Sequence, residues 1–248
     1  MANHKITTLD NLSLQEFDSE TDLIPLLTPE DEEQMNNEDL PETLALLPLR
    51  NMVLFPGVVI PITAGRDKSI KLINDAYTAG KIIGVVAQTN EEIEDPSKND
   101  IFPIGTVARI LRVLKMPDGN VTVILQGKKR FQIDSIISES PYITAKIKEV
   151  DEKRPGKHDT EFLAIHDSIK ELAIQIINES PNIPSEATFA IKNIESQSFL
   201  INFVTSNMTL SVREKQDLLS INVLKERALE TLKYMNIELQ KQELKNNI

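Results

Sequence analysis

The sequence predicts an α+β protein in which a small β-rich domain precedes an all-α helical bundle that ends in a long helix. Two observations support this fold class. All eight glycines lie at or before residue 156, and strand-like alternation of apolar and polar residues stops there too. Beyond that point, apolar residues recur at helical spacing as far as residue 239. We therefore expect a tail at residues 1–43, a β-rich domain at 44–152 and a helical domain at 158–248.

The tail at residues 1–43 is acidic, and we expect it to be disordered. It contains twelve of the 38 acidic residues and a single lysine, so it accounts for the whole formal net charge of -11. Such a segment cannot bury enough apolar surface to offset the entropy lost on ordering. Its one candidate for local structure is a helical turn with Thr28 as N-cap and Pro29 in the first helical position. A regulatory or docking role is the alternative to a solvating leader.

The β-rich domain begins at residues 47–61, where three prolines and a glycine interrupt short apolar runs. Proline fixes φ and lacks a backbone donor, so this pattern favours two short buried strands joined by a turn at Pro56-Gly57. Residues 66–79 carry apolar side chains at helical spacing, and Gly80 follows as the C′ residue. A buried strand at 81–88 and a polar loop at 91–100 come next.

The clearest hairpin pattern lies at residues 104–126, where two strand-like runs flank a Pro-Asp-Gly-Asn turn at 117–120. The basic run at 128–130 is interpreted as a solvated turn, because it lacks the interleaved aromatic residues of a nucleic-acid patch. Residues 142–148 alternate, with Ile143, Ala145 and Ile147 facing inward. Several short strands, one helix and a hairpin together predict a small closed or nearly closed sheet.

The second half of the chain predicts a series of helices. Residues 159–178 form an apolar helical stripe that Pro181 and Pro184 terminate. Further helices are expected at about 186–194 and 196–206, and Ser211 with Glu214 forms a capping box at the start of another. From residue 221 onward, apolar residues three and four positions apart predict one long amphipathic helix.

No catalytic, nucleotide-binding or metal-binding motif is present in the sequence. None of the three Gly-Lys pairs is followed by Ser or Thr, and no two glycines have the spacing of a dinucleotide fingerprint. The absence of cysteine excludes disulfides, thiolate metal sites and a cysteine nucleophile. The three histidines, His4, His158 and His166, match no familiar metal site. We therefore assign no catalytic, cofactor-binding or metal-binding residue to this chain.

Composition also bears on partners and location. Outside the tail the acidic and basic residues cancel, so charge gives no support for nucleic acid or an anionic membrane as the main partner. The amino terminus lacks an apolar targeting region, and no stretch approaches about 18 apolar residues. We expect a cytoplasmic, soluble protein.

Several separated pieces of sequence, taken in their order and spacing, resemble the amino-terminal region of the ATP-dependent protease Lon from about residue 44 to 248. They are Leu47-Pro48-Leu49-Arg50, Leu54-Phe55-Pro56-Gly57, Ile60-Pro61, Gly65-Arg66 with Lys68-Ser69-Ile70, Ile104-Gly105-Thr106-Val107-Ala108, Gly127 with Arg130, Glu214-Lys215-Gln216-Asp217-Leu218-Leu219 and Glu226-Arg227. The resemblance implies a PUA-like pseudo-barrel followed by a helical bundle.

The resemblance also implies a parent protein: a cytosolic, hexameric, ATP-dependent serine protease that degrades misfolded and selected regulatory proteins. In that family the ATPase, with its ATP and magnesium, and the Ser–Lys dyad lie downstream of the region matched here. Neither motif is present in this sequence. We therefore expect a truncated amino-terminal region that contributes substrate recognition and assembly rather than catalysis.

Unfolded proteins differ from folded ones by exposing apolar segments, so a recognition domain needs an apolar surface with adaptable side chains and a polar rim. The candidate substrate-contact residues are Met52, Phe55, Arg66, Asp67, Lys68 and Met116. Core packing is the alternative for the methionines and Phe55, and a charged first turn of a helix is the alternative for residues 66–68. Two other functions remain open: a stand-alone adaptor or small-ligand binder, and an assembly module that uses the final helix.

Overall fold

The computed structural model describes residues 26–180, 183 and 186–246, and these residues contain six strands and seven helices. The elements are, in chain order, α1 (Pro29–Asn37), β1 (Thr43–Leu49), β2 (Val59–Ala64), α2 (Asp67–Thr78), β3 (Ile82–Ala87), β4 (Ile104–Lys115), β5 (Val121–Ser138), β6 (Thr144–Glu149), α3 (Thr160–Glu179), α4 (Glu186–Asn193), α5 (Gln197–Asn207), α6 (Val212–Ser220) and α7 (Leu224–Asn246). The predicted α+β class is confirmed, including the long final helix.

The six strands form one sheet that closes into a small barrel. The strand order is β2-β5-β4-β3-β1-β6, and β6 also pairs with β5, which completes a ring of five strands. Strand β5 makes this closure possible because it is 18 residues long. Its first part pairs with β2 and its last part with β6, while β4 lies alongside. The predicted closed or nearly closed sheet is therefore present.

The strands on either side of Pro56-Gly57 differ in burial. Strand β1 is buried and pairs with β3 and β6. Strand β2 is an edge strand that, within the described part of the chain, pairs with β5 alone and is half exposed, so the expectation of two buried strands holds for β1 alone. Pro61 fits this edge position because it needs no partner for a backbone N–H. The turn itself is present, with Gly57 at φ 81.

The basic run at residues 128–130 was predicted to be a solvated turn, and that prediction is wrong. All three residues lie inside β5, and Lys128 and Arg130 are buried. Their charges have partners from distant parts of the chain. Lys128 Nζ lies 2.6 Å from Glu38, Lys129 Nζ lies 2.9 Å from Glu149, and Arg130 donates to backbone carbonyls near the end of α6. These partners explain how the run can lie within a strand.

Residues 29–37 form helix α1, although composition assigned them to a disordered tail. Thr28 is the N-cap and Pro29 occupies the first turn, as the local sequence predicted, and Asp31 completes a capping box with Thr28. The helix is held because Leu27 and Met35 are buried in the main core cluster. Residues 1–25 of the predicted tail, which include His4, lie outside the described residues.

The helical part is built around α3 and α7, which pack against each other and run parallel. At their amino-terminal ends Lys225 Nζ lies 3.1 Å from Asp159, and at their carboxy-terminal ends Gln242 donates to Ser180 at 3.1 Å. The predicted bounds of α3, α4 and α5 agree with the structure within one residue, and the Ser211 capping box is present. The long final helix begins at Leu224, three residues later than predicted, because Ile221 is the C-cap of α6. Pro181 and Pro184, the predicted terminators of α3, lie outside the described residues. Among the residues that are described, no helix is both long and apolar enough to span a membrane.

The barrel and the helices share their largest hydrophobic cluster. Phe55 and Val58, from the segment that connects β1 to β2, pack in the same cluster as Phe162 of α3 and Phe199 of α5. Residues 153–158, which were expected to separate two domains, also contact the helical part, since Lys153 forms a parallel β-bridge with Val223. The helices are therefore fixed against the barrel by both apolar and backbone contacts. The division into domains at residues 153–158 stays a prediction.

Candidate functional site

Phe55, one of the predicted substrate-contact residues, is fully buried. Its side chain packs in the main core cluster, and its backbone lies against β5, where a Cβ on Gly127 would meet the Phe55 carbonyl oxygen at 2.3 Å. Burial of a large aromatic side chain stabilises the fold strongly. Phe55 therefore anchors the β1–β2 connection in the core that the barrel shares with the helices, and its ring is not accessible to a ligand.

The three charged candidates lie at the start of α2. Arg66 donates to the carbonyl oxygens of Pro48 at 3.1 Å and Glu94 at 3.3 Å. Burial, together with the neighbouring charge of Arg50, lowers the pKa of Arg66. Lys68 forms an ion pair with Asp95 at 2.9 Å, whereas Asp67 is exposed. These residues make a charged rim whose two cations are already engaged by this chain.

The two methionine candidates differ in exposure. Met116 is 43% exposed at the end of β4, whereas Met52 is partly buried against a barrel cluster that includes Ala64 and Val121. The start of α2 lies close to the hairpin that follows Met116, because a Cβ on Gly65 would be 2.9 Å from the Asn120 amide oxygen. The structure therefore places the turn that follows Met116 close to the start of α2, whereas Met52 packs in the barrel cluster.

Other exposed apolar side chains lie on the helices. Phe189 on α4 is 71% exposed. Leu229, Ile237 and Leu244 are also exposed and follow one side of α7. At 100° per residue, that side lies opposite the buried face of the helix. Sequence analysis identified only the buried face, since that face has more apolar residues than the exposed side has.

A polar cleft of about 390 Å³ lies where α1, the end of β6 and α5 meet. Its charged lining residues are Glu32, Lys129, Arg130, Glu149, Asp151, Glu152 and Arg154. Most of these charges are paired within the chain, including Lys129 with Glu149 and Arg154 with both Glu32 and Glu152. One buried polar atom of the lining stands out: the amide oxygen of Asn202 has no hydrogen-bond partner among the residues that the structure describes.

Glu152 is the centre of a buried charge cluster next to the cleft. It forms ion pairs with Arg227 of α7 and with Arg154, and it accepts a hydrogen bond from Ser198 at 3.0 Å. Burial alone would raise the pKa of Glu152, but the two arginines and Ser198 outweigh it, and the pKa is lowered. Glu152 is therefore ionised at neutral pH and joins the end of the barrel to α5 and α7.

Arg130 connects the barrel to the turn between α6 and α7. Its guanidinium donates to the carbonyl oxygens of Leu219 at 2.8 Å and Ile221 at 3.2 Å, and to the side chain of Asn222 at 3.1 Å. Burial and the charge of Arg227 lower the pKa of Arg130 to about 10, so it remains charged at neutral pH.

Sequence analysis did not identify this charge cluster. The available signal was Arg227, a charged residue within the apolar stripe of α7, since a charge on a buried face requires a partner. No group of three His, Asp or Glu side chains in the described part of the chain is placed to hold a metal ion. His166 lies 3.2 Å from the carboxylate of the adjacent Asp167.

Comparison with known protein families gives one clear match. The model of the ATP-dependent protease La (LON) substrate-binding domain matches residues 43–237. The Lon protease of Flavobacterium johnsoniae is 81% identical over 248 residues, which is all of this chain and 30% of that protein. The Lon protease of Cytophaga hutchinsonii is 46% identical over 227 residues, 92% of this chain and 28% of that protein. The chain thus spans about 30% of the length of these relatives.

Two solved structures share the fold. The N-terminal domain of Mycobacterium avium complex Lon protease aligns with a TM-score of 0.65 and 19% identity, over 78% of this chain and 98% of that one. The Lon N-terminal domain protein from Xanthomonas campestris aligns with a TM-score of 0.52 and 18% identity over the same shares.

Proposed function

The chain belongs to the family of ATP-dependent protease La (Lon) substrate-binding domains, and on that premise we propose that it is the substrate-recognition and assembly region of an ATP-dependent Lon protease. In this proposal the parent protein is a cytoplasmic homohexamer that uses ATP and magnesium and cleaves with a Ser–Lys dyad. It degrades misfolded and regulatory proteins. This chain contributes recognition, and the chemistry belongs to other parts of the parent.

The proposed ligands are exposed apolar segments of unfolded polypeptides. The observation that carries this is the family match over residues 43–237, because that family is described as substrate-binding. Within the barrel, Met116 supports a contact surface, since it is exposed and the turn that follows it lies close to Gly65, the residue before Arg66. A flexible, polarizable methionine adapts to many apolar partners, and a charged rim keeps such a surface soluble.

A substitution at Met116 tests the location of this surface. We expect Met116→Asp to weaken binding of a fluorescein-labelled, permanently unfolded protein about tenfold, since losing the burial of one methionine removes roughly 1.5 kcal/mol. The matched control is Ile137→Asp, which adds the same charge at another exposed apolar residue, near the other end of β5. Fluorescence anisotropy gives both dissociation constants. Equal weakening by the two substitutions would show that charge, and not the Met116 surface, governs binding.

A second candidate function is assembly through α7. The observation that favours it is the row of Leu229, Ile237 and Leu244 on the exposed side of that helix. Removing residues 221–248 would not test it cleanly, because Met235 and Leu239 on the same helix belong to the core. The triple substitution of the row to serine leaves the core side chains in place. If α7 mediates assembly, sedimentation velocity will show concentration-dependent association that this variant loses and Phe189→Ser retains.

A further inference from the structure

Residues 26–37 fill an apolar site between the barrel and the helices, which we call the α1 seat. Leu27 and Met35, eight residues apart, are only 7% and 8% exposed. A Cβ on Gly57 would lie 3.1 Å from Leu27 Cδ2 and 2.7 Å from Phe199 Cδ2, so Leu27 and Phe199 meet over this glycine. The seat thus accepts two apolar side chains from one short segment.

Charge complementarity also holds the segment in the seat. Between the two apolar anchors, the buried carboxylate of Glu32 accepts a hydrogen bond from Arg154 at 2.7 Å. Beyond the helix, Glu38 lies 2.6 Å from Lys128 Nζ. Arg154 and Lys128 both lie outside the α1 segment, so the seat itself offers positive charge beside apolar surface.

The seat belongs to the family domain, whereas the segment that fills it does not. The family match begins at residue 43, after α1 has ended at Asn37. Phe199 and Arg154 lie within the match. A helix of nine residues is not stable by itself in water, so α1 takes its order from the seat. Without residues 26–37 the same domain would expose an apolar surface flanked by cations.

A buried acceptor next to the seat is not used by α1. Asn202 is 2% exposed and donates to the Pro56 carbonyl oxygen at 3.3 Å, while its own amide oxygen finds no partner within residues 26–180, 183 and 186–246. Asn202 lines the cleft together with Leu27 and Met35. An unpaired buried acceptor costs free energy that a donor would recover, and a polypeptide backbone supplies N–H donors.

We propose that the α1 seat is a binding site for unfolded polypeptide segments that carry a carboxylate between two apolar residues, and that residues 26–37 compete for it from within the chain. The proposal rests on the proposed function and adds a site and an internal competitor to it. When α1 leaves, the seat and the adjoining cleft become one continuous surface. In the wild-type chain only those molecules in which α1 has left the seat can bind such a segment. The apparent affinity is therefore the intrinsic affinity multiplied by the fraction of molecules with a free seat.

The test is to release α1 in the full chain. We expect Leu27→Asp combined with Met35→Asp to bind a reduced, carboxymethylated and fluorescein-labelled protein at least about tenfold more tightly than the wild-type chain does, because the competitor has left. The matched control combines Gln34→Asp with Asn37→Asp, which adds the same two charges at exposed positions of α1. An unlabelled peptide with the sequence of residues 26–40 should displace the probe from the released variant.

The outcomes separate this inference from the proposed function. If wild-type and released chains bind the probe with the same dissociation constant, the inference is overturned while the proposed function survives. If neither chain binds, both are overturned.

Hydrogen exchange of the wild-type chain gives a readout that does not depend on any variant folding. Adding the unlabelled unfolded protein should speed exchange of the amides at 30–37 and slow exchange in α5. Unchanged exchange in α1 at saturating ligand would contradict the inference.

Discussion

At the residue scale, the junction between barrel and helices depends on charges that burial would otherwise make costly. Glu152 has the ion pairs with Arg227 and Arg154 that keep it ionised. Arg227 is 1% exposed, so removing its carboxylate partner leaves a buried cation without compensation. The sequence places Arg227 far from Glu152 and Arg154, and only the folded chain brings it to them. Stability should therefore be sensitive to the ionisation of one glutamate.

We predict that the contribution of Glu152 to stability depends on pH. Because the pKa of Glu152 is lowered in the folded state from 4.5, the unfolded state binds more protons as the solution is acidified. The stabilisation is therefore complete above the unfolded pKa and disappears as the pH falls through the folded pKa. Urea unfolding from about pH 7 to about pH 3 should show Glu152→Gln costing about 3 kcal/mol at neutral pH and progressively less in acid.

The control for Glu152 is Glu161→Gln, which removes a carboxylate that is paired with Lys225 but well exposed to solvent. Exposed pairs contribute between about 0 and 1 kcal/mol, so this variant should change stability little at any pH. A Glu152→Gln cost that stayed constant across the pH range would contradict the assigned role.

We also predict that Arg130→Lys destabilises the protein by about 1 to 3 kcal/mol, although charge is conserved. A lysine is a point donor and cannot reach the carbonyl oxygens of Leu219 and Ile221 and the Asn222 side chain as the planar guanidinium does. Thermal unfolding measures the difference. Lys148→Arg, at an exposed residue of β6, is the matched control. Equal effects from the two changes would show that the hydrogen bonds of the Arg130 guanidinium do not stabilise the fold.

At the element scale, local sequence patterns were sufficient to predict an element where its own residues mark its beginning and its end. The hairpin around residues 117–120, the helix at 66–79 and the capping box at Ser211 were all predicted and are present. The basic run at 128–130 was missed because its partners are distant in sequence, such as Leu219 for Arg130. For the same reason only one helical turn was predicted where α1 forms, since the full helix depends on Arg154 and the core around Phe199.

We predict that Gly127→Ala severely destabilises the barrel. A Cβ there would meet the carbonyl oxygen of Phe55 at 2.3 Å, a backbone atom that cannot rotate away. Separating β5 from the connecting segment should cost about 3 kcal/mol or more. Gly156→Ala is the control, because nothing lies within 4 Å of its Cβ, and it should be neutral or stabilise by up to about 1 kcal/mol. Circular dichroism during urea unfolding measures both, and similar stabilities for the two variants would contradict the packing argument.

At the scale of the whole molecule, the sequence predicted the class and the order of barrel and bundle but not how they meet. The meeting point depends on Phe55 and Val58 packing against the helices, on Arg130, and on the bridge between Lys153 and Val223. Candidate site residues could be named from sequence, but exposure could not. Phe55 proved to be buried and Met116 exposed, because side-chain burial is set by contacts from distant elements.

The central claim is that this molecule distinguishes unfolded from folded polypeptides. The most direct test is to titrate the chain with one labelled protein in two forms, native and reduced-carboxymethylated, and to compare the dissociation constants. We predict measurable binding of the unfolded form, with a negative heat-capacity change from apolar burial, and no detectable binding of the native form. Equal binding of both forms, or of neither, would contradict the claim.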